Sequence, residues 1–566
     1  MSRFPDPIAA GLDRGWQVID ASIAAIPPAL TADVVIIGSG AGGGITAEVL
    51  ARHGLRVLIV EEGPLRSSRD FRMREADAYP DLYQESLARK TADKAITILQ
   101  GRCVGGSTTV NWTSSFRTPP ATLAFWQQRH GLVEFDAARL TPWFDEVEAR
   151  LGIADWPLPP NRNNDLLRLG AARLGIPAGA IRRNVRQCAN LGYCGTGCPT
   201  NAKQSMLVTT LPAALDRGAA LLTRTRAERF VWSGRRAAGL VLQPLAPDGL
   251  GRRGAPVTVR ASHYVIAGGA INSPALLLRS ALADPAGAIG ARTFLHPTVV
   301  SAAIFADRVD GYAGAPQSVA VDHFLEADPI DGPLGFKLEA PPIHPLLFAS
   351  TLHGFGRVHA ERMQQFAHTH ALIALLRDGF HPDSTGGRVR LAADGAARLS
   401  YPLDDLIFDG ARRALIAMAE IQFAAGAKTV FPVDERLGGF ERIDDARAAL
   451  RALRLRPLLT RVLSAHVMGG CALDPDPARG VTAPDGSLHQ ADNVSVHDGS
   501  LFPTSIGANP QLSIYGIVAR LAAGLASRLT GRPAARAFPA DRFDAAAAAT
   551  RASPAAPIQL RRTHRT

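Results

Sequence analysis

A glycine-rich turn between a short apolar run and a helical segment constrains this chain more than any other feature. Residues 34–37 (VVII) form the apolar run, residues 38–43 (GSGAGG) match G-x-G-x-x-G, and a second apolar run at 56–60 ends at Glu61. This order predicts a β-α-β unit with its helix over 45–52. The unit is the core of a twisted, mostly parallel sheet that binds a dinucleotide.

Each glycine of this unit has a physical role. Gly38 permits the tight turn, Gly40 lets the backbone approach a pyrophosphate, and Gly43 allows close packing of helix and strand. The helix N-terminus favours the phosphate charge. Glu61 stands where a carboxylate can bind a ribose 2′-OH, and it would repel the 2′-phosphate of NADP. The turn predicts a dinucleotide but does not separate NAD from FAD.

Four further motifs follow along the chain. They are GRCVGGSTTVN at 101–111, GGAINSPALL at 268–277, SAHVMGGC at 464–471, and DGSLFP at 498–503 with GANPQ at 507–511. The first suits a loop whose N–H groups meet a phosphate or a flavin edge. Together with the first turn, these motifs resemble the glucose–methanol–choline (GMC) flavoenzymes, in the family's order, over roughly residues 31–530.

The resemblance implies a fold class and a domain organisation. The expected architecture is α/β: a Rossmann-like FAD-binding domain with a mostly parallel sheet, interleaved with a substrate domain built on an antiparallel sheet flanked by helices. The FAD-binding domain is expected at 31–125, 200–300 and 460–530, and the substrate domain at 126–199 and 301–459. A hairpin predicted over 389–401, with an Asp-Gly turn, agrees with antiparallel sheet in that half.

The resemblance also assigns FAD contacts to particular residues. Gly38, Gly40, Gly43 and Glu61 would hold the ADP half of FAD, and Asp498 and Gly499 would contact the ribityl–phosphate region. The remaining expected contacts are Gly101, Gly106, Ser107 and Asn111 at the pyrophosphate and flavin, Ala227 near adenine, and Asn509 and Pro510 at the isoalloxazine. Some members attach FAD to a histidine where this chain has Val110, so we expect non-covalent FAD.

The same motifs indicate the chemistry. Flavin-dependent alcohol oxidation needs a group that accepts the hydroxyl proton, and histidine suits this role because its pKa lies near neutrality. His466 is the histidine of the family's catalytic motif, and Asn509 occupies the second catalytic position, where it can hydrogen-bond the substrate oxygen. His296 is expected to be structural, and His497 to be a strand residue.

The expected partner is a small-molecule substrate, a lipophilic alcohol that is long-chain, sterol-like or terpenoid-like. The segments around His466 and Asn509 most resemble bacterial cholesterol oxidases and long-chain fatty alcohol oxidases. Residues 336–342 (FKLEAPP) resemble the segment that bears an active-site glutamate in the sterol enzymes, which makes Glu339 a third catalytic candidate. Oxygen, a quinone or a cytochrome would reoxidise the flavin.

Three of the five cysteines cluster at Cys188, Cys194 and Cys198. Reduced, packed cysteines are one interpretation, and an iron–sulfur cluster is another, although the spacing matches no common ferredoxin run. The cluster would favour an alternative function, a sugar or polyol dehydrogenase that passes electrons to a partner. No metal ligand is predicted. A lyase with the same fold, in which FAD is structural, is a further alternative.

The formal net charge of +11 raises the possibility of a nucleic-acid-binding protein. Eight arginines against two aspartates fall within residues 526–566, so much of the excess belongs to an Ala/Pro/Arg-rich segment, 531–566, that is expected to be a disordered basic tail. We expect no nucleic-acid partner, and at most a peripheral contact of this tail with a membrane. The predominance of arginine over lysine favours a bacterial source. The N-terminal sequence lacks a signal-peptide pattern and no long apolar run stands out, which predicts a cytoplasmic protein.

Overall fold

The structure, a computed structural model, describes residues 4–28, 30–534 and 536–538. Its strands, in chain order, are β1 (Gln17–Asp20), β2 (Thr31–Ile37), β3 (Val57–Val60), β4 (Ile96–Ile98), β5 (Ile153–Ala154), β6 (Gly179–Ala180), β7 (Arg183–Asn184), β8 (Ala220–Thr223), β9 (Thr225–Ser233), β10 (Arg236–Pro244), β11 (Val257–Ile266), β12 (Thr293–Phe294), β13 (Thr298–Ile304), β14 (Val319–Val321), β15 (Phe336–Glu339), β16 (Thr369–Leu376), β17 (Arg388–Leu391), β18 (Ala397–Ser400), β19 (Thr429–Pro432), β20 (Val462–Ser464), β21 (Met468–Gly469) and β22 (Val494–Val496).

The α-helices are α1 (Pro7–Asp13), α2 (Ala41–Arg52), α3 (Glu75–Leu82), α4 (Ser107–Val110), α5 (Pro120–His130), α6 (Ala137–Leu151), α7 (Arg162–Arg173), α8 (Thr210–Leu215), α9 (Gly269–Arg279), α10 (Pro345–Thr351), α11 (Gly356–Gln364), α12 (Asp405–Ala425), α13 (Ile443–Ala452) and α14 (Gln511–Thr530).

The first large sheet has the strand order β1-β8-β3-β2-β11-β10-β9, with β22 also beside β11. The pairs from β1 to β11, and the pair of β11 with β22, are parallel, while β10 and β9 add an antiparallel ribbon. The expected mostly parallel, Rossmann-like sheet is confirmed. Its strands come from both ends of the chain, since β2 and β22 lie more than 450 residues apart yet flank the same strand.

The second large sheet has the order β4-β20-β13-β16-β15-β14-β6, with β19 beside β13. Every pair is antiparallel except β4 with β20, so the expected antiparallel sheet is also confirmed. Strands β4 and β20 lie inside ranges assigned from the sequence to the FAD-binding domain, yet they pair in this sheet. The predicted hairpin forms as β17 and β18, but these strands make a separate two-stranded sheet.

Helices pack against both large sheets. The apolar residues of α14 pack between α2 and α6 beside the first sheet, and α12 packs with α7 on the second. Among the described residues, α14 is the helix long and apolar enough to cross a membrane by length and composition, and 67% of its most apolar window is buried inside the protein. Core helices of globular proteins share this pattern.

The start of the predicted disordered tail is ordered. Phe538 is buried, and the backbone N–H groups of Ala537 and Phe538 both donate to the Glu146 carboxylate on α6. The burial of an aromatic ring and the satisfied backbone explain why disorder does not begin at residue 531, as was expected. Residues 539–566, with most of the predicted basic tail, lie outside the described residues.

Candidate active site

A single cavity of about 730 Å³ connects the two sheets. It begins at the carboxyl ends of the first sheet's parallel strands, where ligands bind in open α/β sheets, and ends on the inner face of the second sheet. The residues predicted from the sequence that line it are Gly38, Gly40, Glu61, Gly101, Gly106, Ser107, Asn111, Ala227, His466, Asp498, Gly499, Asn509 and Pro510. Two predicted residues, Gly43 and Glu339, lie behind its wall.

Two glycine turns form the narrow floor of the cavity. Gly38, at the end of β2, has φ +100°, a conformation that favours glycine. Gly106 comes from the second motif, and a Cβ on it would lie 2.7 Å from the Gly40 Cα, so the two backbones touch without room for a side chain. Among the described residues, no side chain caps the first turn of α2, which begins after Gly40. Its free N–H groups suit a phosphate.

Gly43 does not face the cavity. A Cβ at this position would lie 1.9 Å from the Gly38 carbonyl oxygen, so the absence of a side chain lets α2 pack against the turn. The glycine therefore shapes the phosphate-binding turn through packing, the role that the sequence motif assigns to it.

Glu61 directly follows β3, beside this turn. Its carboxylate accepts hydrogen bonds from the Ser39 hydroxyl (2.6 Å) and from the Gly63 backbone N–H (2.8 Å). Burial raises the pKa of Glu61, and these hydrogen bonds oppose the shift. Ala227 on β9 lines the same end of the cavity. This end has the glycine backbone, helix N-terminus and carboxylate that suit a pyrophosphate with its ribose.

The middle of the cavity is held rigid by hydrogen bonds between distant segments. The Ser107 hydroxyl accepts from the Gly101 N–H at 2.9 Å, and the Asn111 amide donates to the Gln511 side chain at 2.7 Å. The buried Lys203 ammonium donates to the Asn111 carbonyl at 2.8 Å. Asn111, in the loop expected at the flavin, is thus fixed from both sides, by Gln511 at the N-terminus of α14 and by Lys203.

The Asp498 carboxylate forms its hydrogen bonds with other groups of the protein. Its carboxylate accepts from the Ser273 hydroxyl, from the Gly269 N–H at 2.8 Å and from the Ser500 N–H at 2.8 Å. These bonds join the turn after β22 to the start of α9, so that Gly499 is presented to the cavity. The carboxylate fixes the backbone that would face a bound cofactor at this point of the cavity.

His466 and Asn509 line the cavity where its two halves meet. The Nδ1 atoms of His466 and His296 lie 3.0 Å apart, so the Nε2 of His466 is the nitrogen left for a ligand. The Asn509 amide donates to Glu339 at 3.2 Å, and its buried Oδ1 has no partner among the described residues. The imidazole Nε2 can therefore accept the hydrogen of a substrate hydroxyl, and the second N–H of the Asn509 amide can donate to its oxygen.

Burial and a nearby positive charge keep the His466 imidazole neutral. Burial, together with the positive charge of Lys337, lowers the pKa of His466 to about 3. The imidazole is unprotonated at neutral pH, the state required of a proton acceptor.

Glu339 occupies a different place from the one expected. Its side chain is fully buried and does not line the cavity; one carboxylate oxygen accepts from both Gln317 and Asn509. The Lys337 ammonium lies 3.6 Å from the other oxygen. Burial raises the pKa of Glu339, and Lys337 opposes the shift. The carboxylate orients the Asn509 amide from behind instead of meeting the substrate.

Sequence reasoning missed the roles of three residues in this region: Lys337, Gln317 and His296. Lys337 is fully buried on β15, with its ammonium 3.1 Å from Asp322 and over the Phe116 ring. A lysine inside the apolar segment 336–342 is the sequence signal that could have found it, because lysine is almost never buried without a partner. His296, expected to be structural, contacts His466.

The segment from Cys188 to Lys203 supports the site through the lysine at its end. Cys188, Cys194 and Cys198 are free thiols, and no group of three or more His, Cys, Asp or Glu side chains within the described part of the chain is arranged to hold a metal ion. The segment instead supplies Lys203, which binds the carbonyls of Asn111 and Cys194. The iron–sulfur alternative gains no support from this geometry.

Comparisons with known proteins identify the family of the chain. Models of the GMC oxidoreductase family match residues 79–298 and 382–517, and a model of an FAD binding domain matches residues 33–75. The chain belongs to the GMC oxidoreductase family: it is an FAD-dependent enzyme that acts on CH–OH donors.

Individual relatives extend the comparison. A GMC-type oxidoreductase of Sinorhizobium fredii is 30% identical over 502 residues, which cover 87% of this chain and 94% of that protein. A long-chain-alcohol oxidase of Arabidopsis thaliana is 28% identical over 505 residues, covering 85% of this chain and 65% of that protein. The crystal structure of pyridoxine 4-oxidase from Mesorbium loti matches with a TM-score of 0.63 at 19% identity, covering 87% and 98% of the two chains.

Proposed function

We propose that this enzyme oxidises the CH–OH group of a lipophilic alcohol to an aldehyde or ketone, with His466 as the proton acceptor. The observation that carries the proposal is the position of His466 and Asn509, between a glycine-lined cradle on one side and an apolar chamber on the other. The cradle fits FAD, which supplies the hydride acceptor when it is bound.

One wall of the apolar chamber is formed by alternate residues of two strands. Successive side chains of a strand point to opposite faces, so every second residue of β13 and β16 faces the cavity. A second wall comes from α10 and the residues around it, which include Phe348 and Leu352. The side chains of the first wall are Thr298, Val300, Ala302, Ala371, Ile373 and Leu375.

The residues around the substrate hydroxyl have separate roles. Neutral His466 accepts the hydroxyl proton on Nε2, while Asn509 fixes the position of the carbinol group. Glu339 holds the Asn509 amide, and Lys337 balances the carboxylate charge. The aliphatic part of the substrate lies in the apolar chamber, where its burial supplies binding energy. The similarity to a long-chain-alcohol oxidase supports this choice of substrate class.

Anaerobic reduction of the bound flavin tests the proposal. Fatty alcohols, sterols, terpenols, aryl alcohols and sugars are mixed with the holoenzyme without oxygen, and bleaching of the flavin absorbance is followed. We expect bleaching by lipophilic alcohols. Bleaching by sugars alone would favour the sugar or polyol alternative, and no bleaching by any alcohol would favour the lyase. Admission of air then distinguishes oxygen from other electron acceptors.

The base is tested with His466→Ala, which should bind flavin normally and slow its reduction by about 10²- to 10⁴-fold. His359→Ala is the matched control, because His359 bonds only a backbone carbonyl on α10. Near-normal reduction in His466→Ala would refute the role of the residue.

We also propose that FAD is held without a covalent bond. Val110 lines the cavity at the position where some members of the family attach the cofactor to a histidine, and an aliphatic side chain cannot form that bond. Precipitation with acid should release all flavin to the supernatant. Flavin that stays with the polypeptide would contradict the proposal.

A further inference from the structure

We propose that His296 is a positioning residue for the catalytic base: it is a neutral hydrogen-bond acceptor that holds the His466 ring and receives its Nδ1 hydrogen bond when Nε2 takes the substrate proton. This inference rests on the proposed function of His466. It replaces the structural role that the sequence suggested for His296.

The contact between the two rings is direct and shielded from solvent. The Nδ1 atoms are 3.0 Å apart, and the ring planes are inclined at 34° with centroids 5.2 Å apart. His466 lines the cavity, whereas His296 is fully buried behind it. Which ring nitrogen of a histidine carries the hydrogen is set by the hydrogen bond that the other nitrogen makes. The contact therefore determines what His466 presents to the substrate.

The backbone of His296 is held in an unusual conformation. Its φ is +49°, in the left-handed region that costs energy for a residue with a side chain. The Asp378 carboxylate compensates, since it accepts the N–H groups of both Leu295 and His296 at 3.1 Å. Tyr401 in turn donates to Asp378 at 2.7 Å. Several groups thus maintain a strained residue whose side chain ends at the catalytic base.

The direction of the hydrogen bond follows from counting hydrogens. When the substrate O–H bond breaks and the proton passes to Nε2, His466 carries hydrogens on both nitrogens. Its Nδ1 must then donate, and the Nδ1 of His296 must accept with its own hydrogen on Nε2. No proton leaves the pair, and His296 stays neutral throughout.

The surroundings of His296 disfavour a second positive charge. Its Nε2 is buried with no hydrogen-bond partner among the described residues, and Lys337 and Arg377 both contribute positive potential. Burial is the largest cause that lowers the pKa of His296 well below its usual value, followed by His466 and these two cations. On the acidic side, Asp378 binds the backbone of His296, and Glu339 binds the Asn509 amide. His296 is therefore suited to accept a hydrogen bond without taking the proton.

Variants at position 296 separate positioning from packing. His296→Leu removes the acceptor, and His296→Gln offers an amide oxygen in its place. We expect His296→Leu to slow anaerobic flavin reduction by about 10- to 100-fold, the range for a lost hydrogen bond to a charged group, and to shift the acid limb of the pH profile to lower pH. We expect His296→Gln to restore most of the rate and the pH profile.

The matched control is His370→Leu, because His370 is also a fully buried histidine but lies on the face of β16 turned away from the cavity. A pH profile in His296→Leu that matches the control, or no rescue by glutamine, would overturn the inference. If His466→Ala reduces flavin normally, the proposed function fails instead, and the two outcomes are distinct.

A measurement on the unmodified holoenzyme remains decisive if His296→Leu does not fold. Histidine-selective ¹⁵N NMR, with the His296→Gln variant used to assign the signals, reports which ring nitrogens carry hydrogens. We expect His296 neutral, with its hydrogen on Nε2, when His466 is protonated. A doubly protonated His296 would overturn the inference.

Discussion

The apolar chamber predicts how the rate depends on the length of the substrate. The wall consists of three cross-strand pairs that lead away from His466, and the register places them in successive rows. These pairs are Thr298 with Leu375, Val300 with Ile373, and Ala302 with Ala371. From Thr298 to Ala302 the strand rises about 13 Å. Because a C–C bond of about 1.5 Å advances an extended chain by a little over 1 Å, this wall covers about ten methylenes.

Burial of the alkyl chain determines how steeply kcat/KM rises with the length of the alcohol and where the rise stops. Each buried methylene contributes about 0.8 kcal/mol, which corresponds to about a fourfold increase in kcat/KM. For 1-butanol through 1-hexadecanol, we expect kcat/KM to rise by about this factor per methylene and to level off once the chain passes the row of Ala302 and Ala371.

Ala371→Leu tests this reasoning, because it adds three carbon atoms to the last row of the wall. The plateau should arrive about three methylenes earlier, and alcohols that reach this row should lose about 2 kcal/mol of transition-state stabilisation. Short alcohols should react as before. Ala349→Leu is the matched control, because Ala349 lies on α10 but does not line the cavity.

Stopped-flow reduction of the flavin under anaerobic conditions measures the rate for each alcohol, in the unmodified enzyme and in both variants. A profile that is flat with chain length would refute the proposed chamber. Identical profiles for Ala371→Leu and Ala349→Leu would refute the assignment of the last row.

Three other substitutions follow from the structure. Lys337→Met should move the acid limb of flavin reduction to higher pH, because loss of the ammonium relieves the repulsion that lowers the pKa of His466; an unmoved limb in a pH-dependent stopped-flow series would contradict this. Gly43→Ala should destabilise the protein by about 1–3 kcal/mol and weaken flavin retention, since its Cβ would lie 1.9 Å from a carbonyl oxygen. Gly524→Ala in α14 should stabilise the fold by up to about 1 kcal/mol, because a Cβ at this position would lie 3.7 Å from its nearest neighbouring atom. Calorimetry that finds Gly524→Ala less stable than Gly43→Ala would refute the packing argument.

The parts of this protein that the sequence predicted are those encoded by local spacing. The turn from Gly38 to Glu61 is readable because its physical requirements fall within one β-α-β unit. Even there, α2 begins at Ala41 instead of residue 45, since helix packing at Gly43 outweighs the low helix propensity of glycine. The apolar periodicity of residues 406–426 likewise corresponds to α12 (Asp405–Ala425), with Gly426 in the left-handed conformation that ends helices.

The contacts that define the catalytic end depend on long-range folding. His296 and His466 are 170 residues apart in the chain, and so are Glu339 and Asn509. No local pattern reports that these pairs meet, and the histidine motif alone gives no information on what lies behind His466. The second sheet brings them together, because β13 follows His296 and β15 ends with Glu339.

The interleaving of the two sheets has a consequence for biosynthesis. Strand β2 leaves the ribosome more than 450 residues before β22 and α14, which complete its sheet and its helical layer. Throughout most of translation, the apolar edges of the nascent sheet lack their final partners. Asn509, and Gln511 which binds the Asn111 amide, arrive only after more than 500 residues have been made. The cofactor site is therefore completed late in synthesis, and the unfinished polypeptide exposes apolar surface that favours aggregation.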